Sequence, residues 1–143
     1  MESKTILVDF DGTCVTHEFP KVGRDIGAVP VLKELVENGH KLILFTMRSD
    51  IEKPQSDDSE IILLGGNYLT DAVNWFKKNE IPLYGIQKNP TQHTWTTSPK
   101  AYGNYMIDDS ALGCPLLWDV KSERTYVDWF LMRRMLYLKA LLK

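Results

Sequence analysis

The chain has 143 residues, 43% of them hydrophobic and 25% charged, with a net charge of −2. That length supports one folded domain with its own core, here expected to span residues 1–143. The charge balance gives no indication of nucleic acid or an acidic membrane as a partner, and no apolar run reaches the roughly 18 residues a membrane span needs.

Cys14 and Cys114 are too few for a disulfide scaffold or a zinc centre. The opening MESKTILV enters a strand almost at once and lacks signal-peptide anatomy, so cytoplasmic residence is the expectation. Thr5-Ile6-Leu7-Val8 is a short apolar run of the kind that forms a buried strand. Asp9-Phe10-Asp11-Gly12-Thr13 follows it, which sets two carboxylates at the strand's carboxyl end. In a continuing strand Asp9 and Asp11 share a face. Gly12 marks a sharp turn that lets the backbone approach a ligand closely. Paired acids in such a place either hold a divalent cation or carry out nucleophilic and acid/base chemistry.

Residues 14–28 have no helical period and contain Pro20, Gly23 and Gly27. They read as a loop that is long for a strand-to-helix connection and suited to act as a flap over a site. Val29, Leu32, Leu35 and Val36 give one face of a first helix, stopped at Gly39. His40 reads as a solvated turn residue. Lys41–Phe45 forms the second buried strand, followed by Thr46-Met47-Arg48-Ser49, and residues 50–60 read as a polar, exposed loop. A second helix is expected over 68–78, with Leu69, Ala72, Val73 and Phe76 buried and Asn67 as N-cap. Leu83–Ile86 is a third strand, and 87–99 a polar loop. Asn104–Ile107 is a fourth strand, ending in Asp108-Asp109. Pro115–Trp118 suggests a small fifth strand. A last helix is expected from about Glu123 to Leu142, with Val127, Leu131, Met135, Leu138 and Leu142 along one side. A second row of Tyr126, Trp129, Phe130, Tyr137 and Ala140 leaves aromatic surface for a contact, most simply a two-fold homo-oligomer.

Strands alternate with helices, which predicts an α/β domain with a mainly parallel sheet covered on both faces, three layers in all. Polar residues collect at the strands' carboxyl ends, where such sheets bind ligands. Phosphoryl transfer needs a nucleophile, a proton donor for the leaving oxygen and positive charge around the transferring group. Asp9 fits the first role and Asp11 the second. Several acids crowd together only when a cation relieves their repulsion, and Mg²⁺ takes oxygen ligands. Thr46 offers a hydroxyl and nearby backbone N–H groups to phosphate. Lys100 offers a point charge, Lys88 is a competing choice, and Arg48 reads as either a substrate contact or a surface cation.

DFDGT at 9–13, a strand ending in Thr46, Lys100 and the pair Asp108-Asp109 together resemble the four motifs of the haloacid dehalogenase superfamily of phosphatases. The resemblance covers roughly residues 5–118 and implies a Rossmann-like domain, Mg²⁺ and an aspartyl-phosphate intermediate. By motif, Asp9 resembles the nucleophile and a metal ligand. Asp11 resembles the acid/base, with its carbonyl on the metal. Gly12, Thr46, Arg48 and Lys100 are the substrate-side candidates. Asp109 resembles the direct metal ligand of the pair, with Asp108 in support. The two stretches where the superfamily inserts a cap domain are short here, 14–45 and 87–99, so a capless member is expected. The implied activity is Mg²⁺-dependent hydrolysis of a phosphate monoester of unspecified size. The alternatives are a phosphomutase or phosphotransferase, or a non-catalytic phospho-binding module.

Overall fold

A computed structural model describes residues 1–52 and 64–143. In chain order the elements are β1 (Thr5–Val8), α1 (Ala28–Glu37), β2 (Lys41–Leu44), β3 (Asp50–Ile51) and β4 (Gly66–Asn67). They continue with α2 (Tyr68–Lys78), β5 (Gly85–Ile86), a single 3-10 turn (Gln92–Thr94), β6 (Tyr105–Ile107), β7 (Leu116–Asp119), β8 (Arg124–Val127) and α3 (Trp129–Leu138). Among the described residues, no helix is long and apolar enough to cross a membrane.

β5, β2, β1 and β6 form one sheet in that order, and every pairing is parallel. The Ile, Leu and Val of β1 and β2 are buried from both sides, the usual signature of a parallel sheet's interior strands. The order explains the layering. From β1 to β2 to β5 the chain steps one way across the sheet, so right-handed crossovers place α1 and α2 on the same face. α1 buries Ala28, Val31, Leu32 and Leu35, spaced for one helical face. Ala72 and Phe76 of α2 join them in a single core with Ile6, Val8, Leu42 and Leu44.

The step from β5 to β6 runs back past β1, so its connection falls on the opposite face. That connection, residues 87–104, contains only the 3-10 turn. Leu7 and Ile43 on this face are packed by Ala101, with Phe45 and Tyr84 at the side. The expected three-layer arrangement is therefore corrected in its third layer, which is irregular chain rather than helix. Thr, Asn, Pro and Ser dominate 87–99, and such residues favour turns over helix interiors.

The C-terminal part departs furthest from expectation. Leu116–Asp119 is a strand, as expected, but it lies outside the parallel sheet. It pairs antiparallel with Arg124–Val127 in a separate hairpin, and those four residues were expected to open the last helix. Thr125, Tyr126 and Val127 suit a strand, Glu123 takes a left-handed turn conformation (φ 53°), and Asp128 then caps α3 by accepting from the N–H groups of Phe130 and Leu131. Starting the helix at 129 resets its phase. Trp129, Met132 and Leu136 face the core, while Leu131, Met135 and Leu138 of the expected buried row are exposed alongside Phe130 and Tyr137. Trp129, expected in the exposed row, is only 4% accessible. Burying side chains of this size is worth about 1.5–3 kcal/mol each.

Two local expectations are also corrected. Asn67 stands at the N-cap of α2 but makes no capping bond. The cap comes from Asp50, whose carboxylate accepts from the Thr70 N–H (2.9 Å) and hydroxyl (2.6 Å), because β3 pairs Asp50 with Asn67. His40 is buried rather than solvated. Its Nδ1 accepts from the Lys4 N–H and its Nε2 meets the Leu141 carbonyl at 2.8 Å, so the ring ties the two chain ends together. Residues 53–60 of the expected polar loop lie outside the described residues.

Candidate active site

β1 and β6 lie side by side at the point where strand order reverses, and their carboxyl ends deliver Asp9 and Asp108-Asp109 to one place. The Asp9 N–H donates to the Ile107 carbonyl at 3.0 Å, which fixes the alignment. One carboxylate oxygen from each of Asp9, Asp108 and Asp109 lies within 4.8 Å of the others. An all-oxygen donor set of this kind suits a hard divalent cation such as Mg²⁺. Burial, a hydrogen bond shared with Asp109 and the charge of Asp108 push the Asp9 carboxyl up to about 8. The three acids therefore call for a proton or a cation between them.

Thr13 organises this cluster. Its hydroxyl donates to Asp9 Oδ2 at 2.9 Å, lies 3.2 Å from Asp109 Oδ1, and accepts the Asp109 backbone N–H at 3.1 Å. Thr13 is itself held by the C-terminal elements, since the Trp129 indole N–H donates to its carbonyl (2.7 Å). Val127 likewise donates to the Gly12 carbonyl (2.9 Å). Asp108 accepts from the Ser110 N–H and hydroxyl at 2.8 and 2.7 Å, which turns the chain after the pair.

Gly12, one of the substrate-side candidates, lies against Asp109. It takes φ +79°, and a Cβ there would stand 2.6 Å from Asp109 Oδ2 and 3.0 Å from its Cγ. Gly12→Ala is expected to cost about 1–3 kcal/mol through backbone strain alone and to push Asp109 out of the cluster. A melt combined with a Mg²⁺ titration checks both. Unchanged cation affinity in a folded Gly12→Ala protein would separate Gly12 from the site.

Asp11 does not join the acid cluster. Its two oxygens accept from Arg48 Nε and NH2, each at 2.8 Å. The Arg48 side chain has no exposed area and that of Asp11 only 12%. The guanidinium also donates to the carbonyls of Pro20, Lys21 and Tyr68, and lies 5.0 and 5.1 Å from the ring centres of Phe10 and Phe19. Arg48 is therefore neither a surface cation nor a free substrate contact. It fastens the 14–28 arm, the start of α2 and Asp11 to one another. That arm is folded back on itself, with the Thr16 N–H donating to the Arg24 carbonyl (3.0 Å) and Arg24 paired to Glu18 and Asp119.

Thr46 sits at the end of β2 as expected, and Phe45 beside it donates to the Val8 carbonyl (2.8 Å). Its backbone N–H donates to Gln87 Oε1 (2.8 Å), and its hydroxyl oxygen accepts the Arg48 N–H (3.1 Å). Among the described residues, the Thr46 hydroxyl proton has no acceptor. Lys100 and Lys88 are both exposed, and neither pairs with a carboxylate among the described residues. Neither thiol competes as a nucleophile: burial pushes Cys14 well above the usual thiol range and Cys114 up to about 11, and both are free.

Sequence reasoning passed over Thr13, Gln87 and Trp129 as site residues. Thr13 lay within the motif already singled out, and Gln87 follows the third parallel strand, a position where polar residues deserve suspicion. Nothing in the sequence points to Trp129, because its contact depends on where α3 docks.

No protein-family profile and no curated protein matches the chain. Among solved structures, the chain is similar to a conserved protein coded by a locus of Bacteroides thetaiotaomicron, with a TM-score of 0.70 and 29% identity over 96% of this chain and 93% of the other.

Proposed function

We propose that this protein is a Mg²⁺-dependent phosphatase of the haloacid dehalogenase type, hydrolysing a phosphate monoester through an aspartyl-phosphate on Asp9. The observation that carries this reading is the Asp9, Asp108 and Asp109 cluster at the carboxyl end of β1 and β6, one strand away from the Thr46 turn. Asp9, Asp109 and Asp108 would hold the cation, which when bound supplies positive charge to the phosphate oxygens and to the crowded acids. Thr13 fixes Asp9 Oδ2 and so sets how the carboxylate meets phosphorus. Among the described residues the Thr46 hydroxyl proton has no acceptor, which leaves it for a phosphate oxygen, and the Met47 N–H is the neighbouring backbone donor.

Asp11 is the acid for the leaving oxygen and then the base for water. Arg48 grips both of its oxygens, so proton transfer requires one of those two contacts to open. Lys100 is the phosphate lysine in this reading and Lys88 the alternative. Ala101, next to Lys100, packs on Leu7, and strand alternation gives Leu7 and Asp9 the same face. Neither the pinned 14–28 arm nor the 87–104 connection has the length of a covering domain, which supports a capless site. Turnover of a panel of phosphate esters, including p-nitrophenyl phosphate, is expected with Mg²⁺ and is expected to vanish with chelator. Equal rates in both conditions, or no ester turned over, would overturn the proposal.

A further inference from the structure

Gln87 stands out because its backbone and side chain both serve the Thr46 turn. It is a non-glycine residue at φ 63°, a left-handed conformation that most side chains avoid. Its N–H donates to the Leu44 carbonyl (2.7 Å), which ties it to β2. Its carboxamide then reaches the turn that leaves β2. Oε1 accepts the Thr46 N–H at 2.8 Å, and Nε2 donates to the Thr46 carbonyl at 2.6 Å and the Arg48 carbonyl at 3.1 Å. The partners settle the amide's orientation, since the one N–H needs an acceptor and the two carbonyls need donors. Gln87 borders a cavity of about 220 Å³, so its side chain is not needed to fill a sealed core.

We infer that Gln87 is the positioning residue of the phosphate-binding turn: its carboxamide holds the Thr46 and Arg48 peptides so that the Thr46 hydroxyl and Met47 N–H face the phosphate. This rests on the phosphatase reading above. The clamp is geometric. With the Thr46 N–H and carbonyl and the Arg48 carbonyl all engaged, rotation of these peptides breaks a hydrogen bond in each case. The left-handed backbone at 87 is what turns the side chain back toward β2 instead of onward into the 87–104 connection.

The test uses two variants. Gln87→Gly removes the clamp and relieves the backbone. Gln87→Glu keeps the shape and the acceptor for Thr46 but loses both donor bonds. With Mg²⁺ present, the KM for p-nitrophenyl phosphate and the inhibition constant for orthovanadate are expected to rise about tenfold in Gln87→Gly and at least as much in Gln87→Glu, whose carboxylate sets an anionic oxygen against both carbonyls. kcat is expected to change less than KM. The Thr46 amide is expected to exchange with solvent faster in Gln87→Gly, a readout independent of turnover. Weakened orthovanadate binding with near-native melting supports the inference. Unchanged inhibition constants in active, folded variants overturn it and leave the phosphatase reading standing. A wild-type protein that neither turns over esters nor binds orthovanadate removes both.

Discussion

Asp9→Asn protein is expected to fold, melt cooperatively, and turn over phosphate esters at least about 10³-fold more slowly than wild type. The amide keeps the shape of the carboxylate and still accepts from Thr13, so the turn at 10–13 has no reason to move. What disappears is the attacking oxygen. The same substitution has a second consequence that does not depend on catalysis. Asp9 ionises near 3.8 in an unfolded chain and near 8 in the fold, chiefly through burial. Below about pH 4 both states hold the proton. Between those values only the folded state holds it, so the folded state loses relative stability as pH rises, until Asp9 ionises near 8.

In chelator, the wild-type melting temperature is therefore expected to fall from pH 5 to pH 8, and that of Asp9→Asn to fall less. Asp50 and Asp119 are held below the usual carboxylate range, first by hydrogen bonds from Thr70 and Ser122. Their stabilisation is lost as pH falls through the acid range, outside this window, and it cancels in the comparison of the two proteins. Mg²⁺ is expected to restore the wild type at pH 8 and to act weakly on Asp9→Asn. Parallel melting curves for the two proteins across this range would show that burial of Asp9 is not what the acids relieve.

What the sequence made legible follows from where its signals are local. β1, α1, β2 and α2 are written in runs whose period matches their structure, and α2 matches its expected span at both ends. The acid cluster was legible for the same reason: Asp9, Asp108 and Asp109 each follow an apolar strand, and parallel order brings those strand ends together. The stretch from Arg124 onward was not legible. Arg124–Val127 continues into Trp129–Leu138 without Pro or Gly between them, so the apolar residues read as one helix. The break lies in the hairpin partner Leu116–Asp119 and in the Asp128 cap, and a partner strand is not a local signal. The fate of each site side chain was also beyond the sequence. Asp9 and Asp11 sit two apart and would share a face in a continuing strand. The strand ends at Val8, however, and the turn sends Asp11 to Arg48 while Asp9 stays with Thr13.

That separation makes Arg48 the residue whose removal is expected to cost the fold most. Arg48→Met retains much of the apolar stem and deletes the guanidinium. Asp11 then keeps its carboxylate in a place where its side chain is 12% exposed, with no other charge partner or side-chain donor among the described residues. The Pro20, Lys21 and Tyr68 carbonyls lose the N–H groups that now serve them. Breaking a buried pair from one side costs about 3–5 kcal/mol, since the remaining charge is left uncompensated. For a chain of this length that lowers the melting temperature by on the order of 10 °C. Arg48→Lys is expected to fall between, because one ammonium cannot reproduce the two-point grip on Asp11. Adding Asp11→Leu to Arg48→Met is expected to recover part of the loss, because the buried charge goes with its partner. A substrate-contacting arginine would behave the other way: the melt would hold and KM would rise. Thermal and urea melts of the three proteins, set beside KM for p-nitrophenyl phosphate in Arg48→Lys, separate these cases. An Arg48→Met protein that melts with wild type would mean that the arm, α2 and Asp11 are held together without the guanidinium.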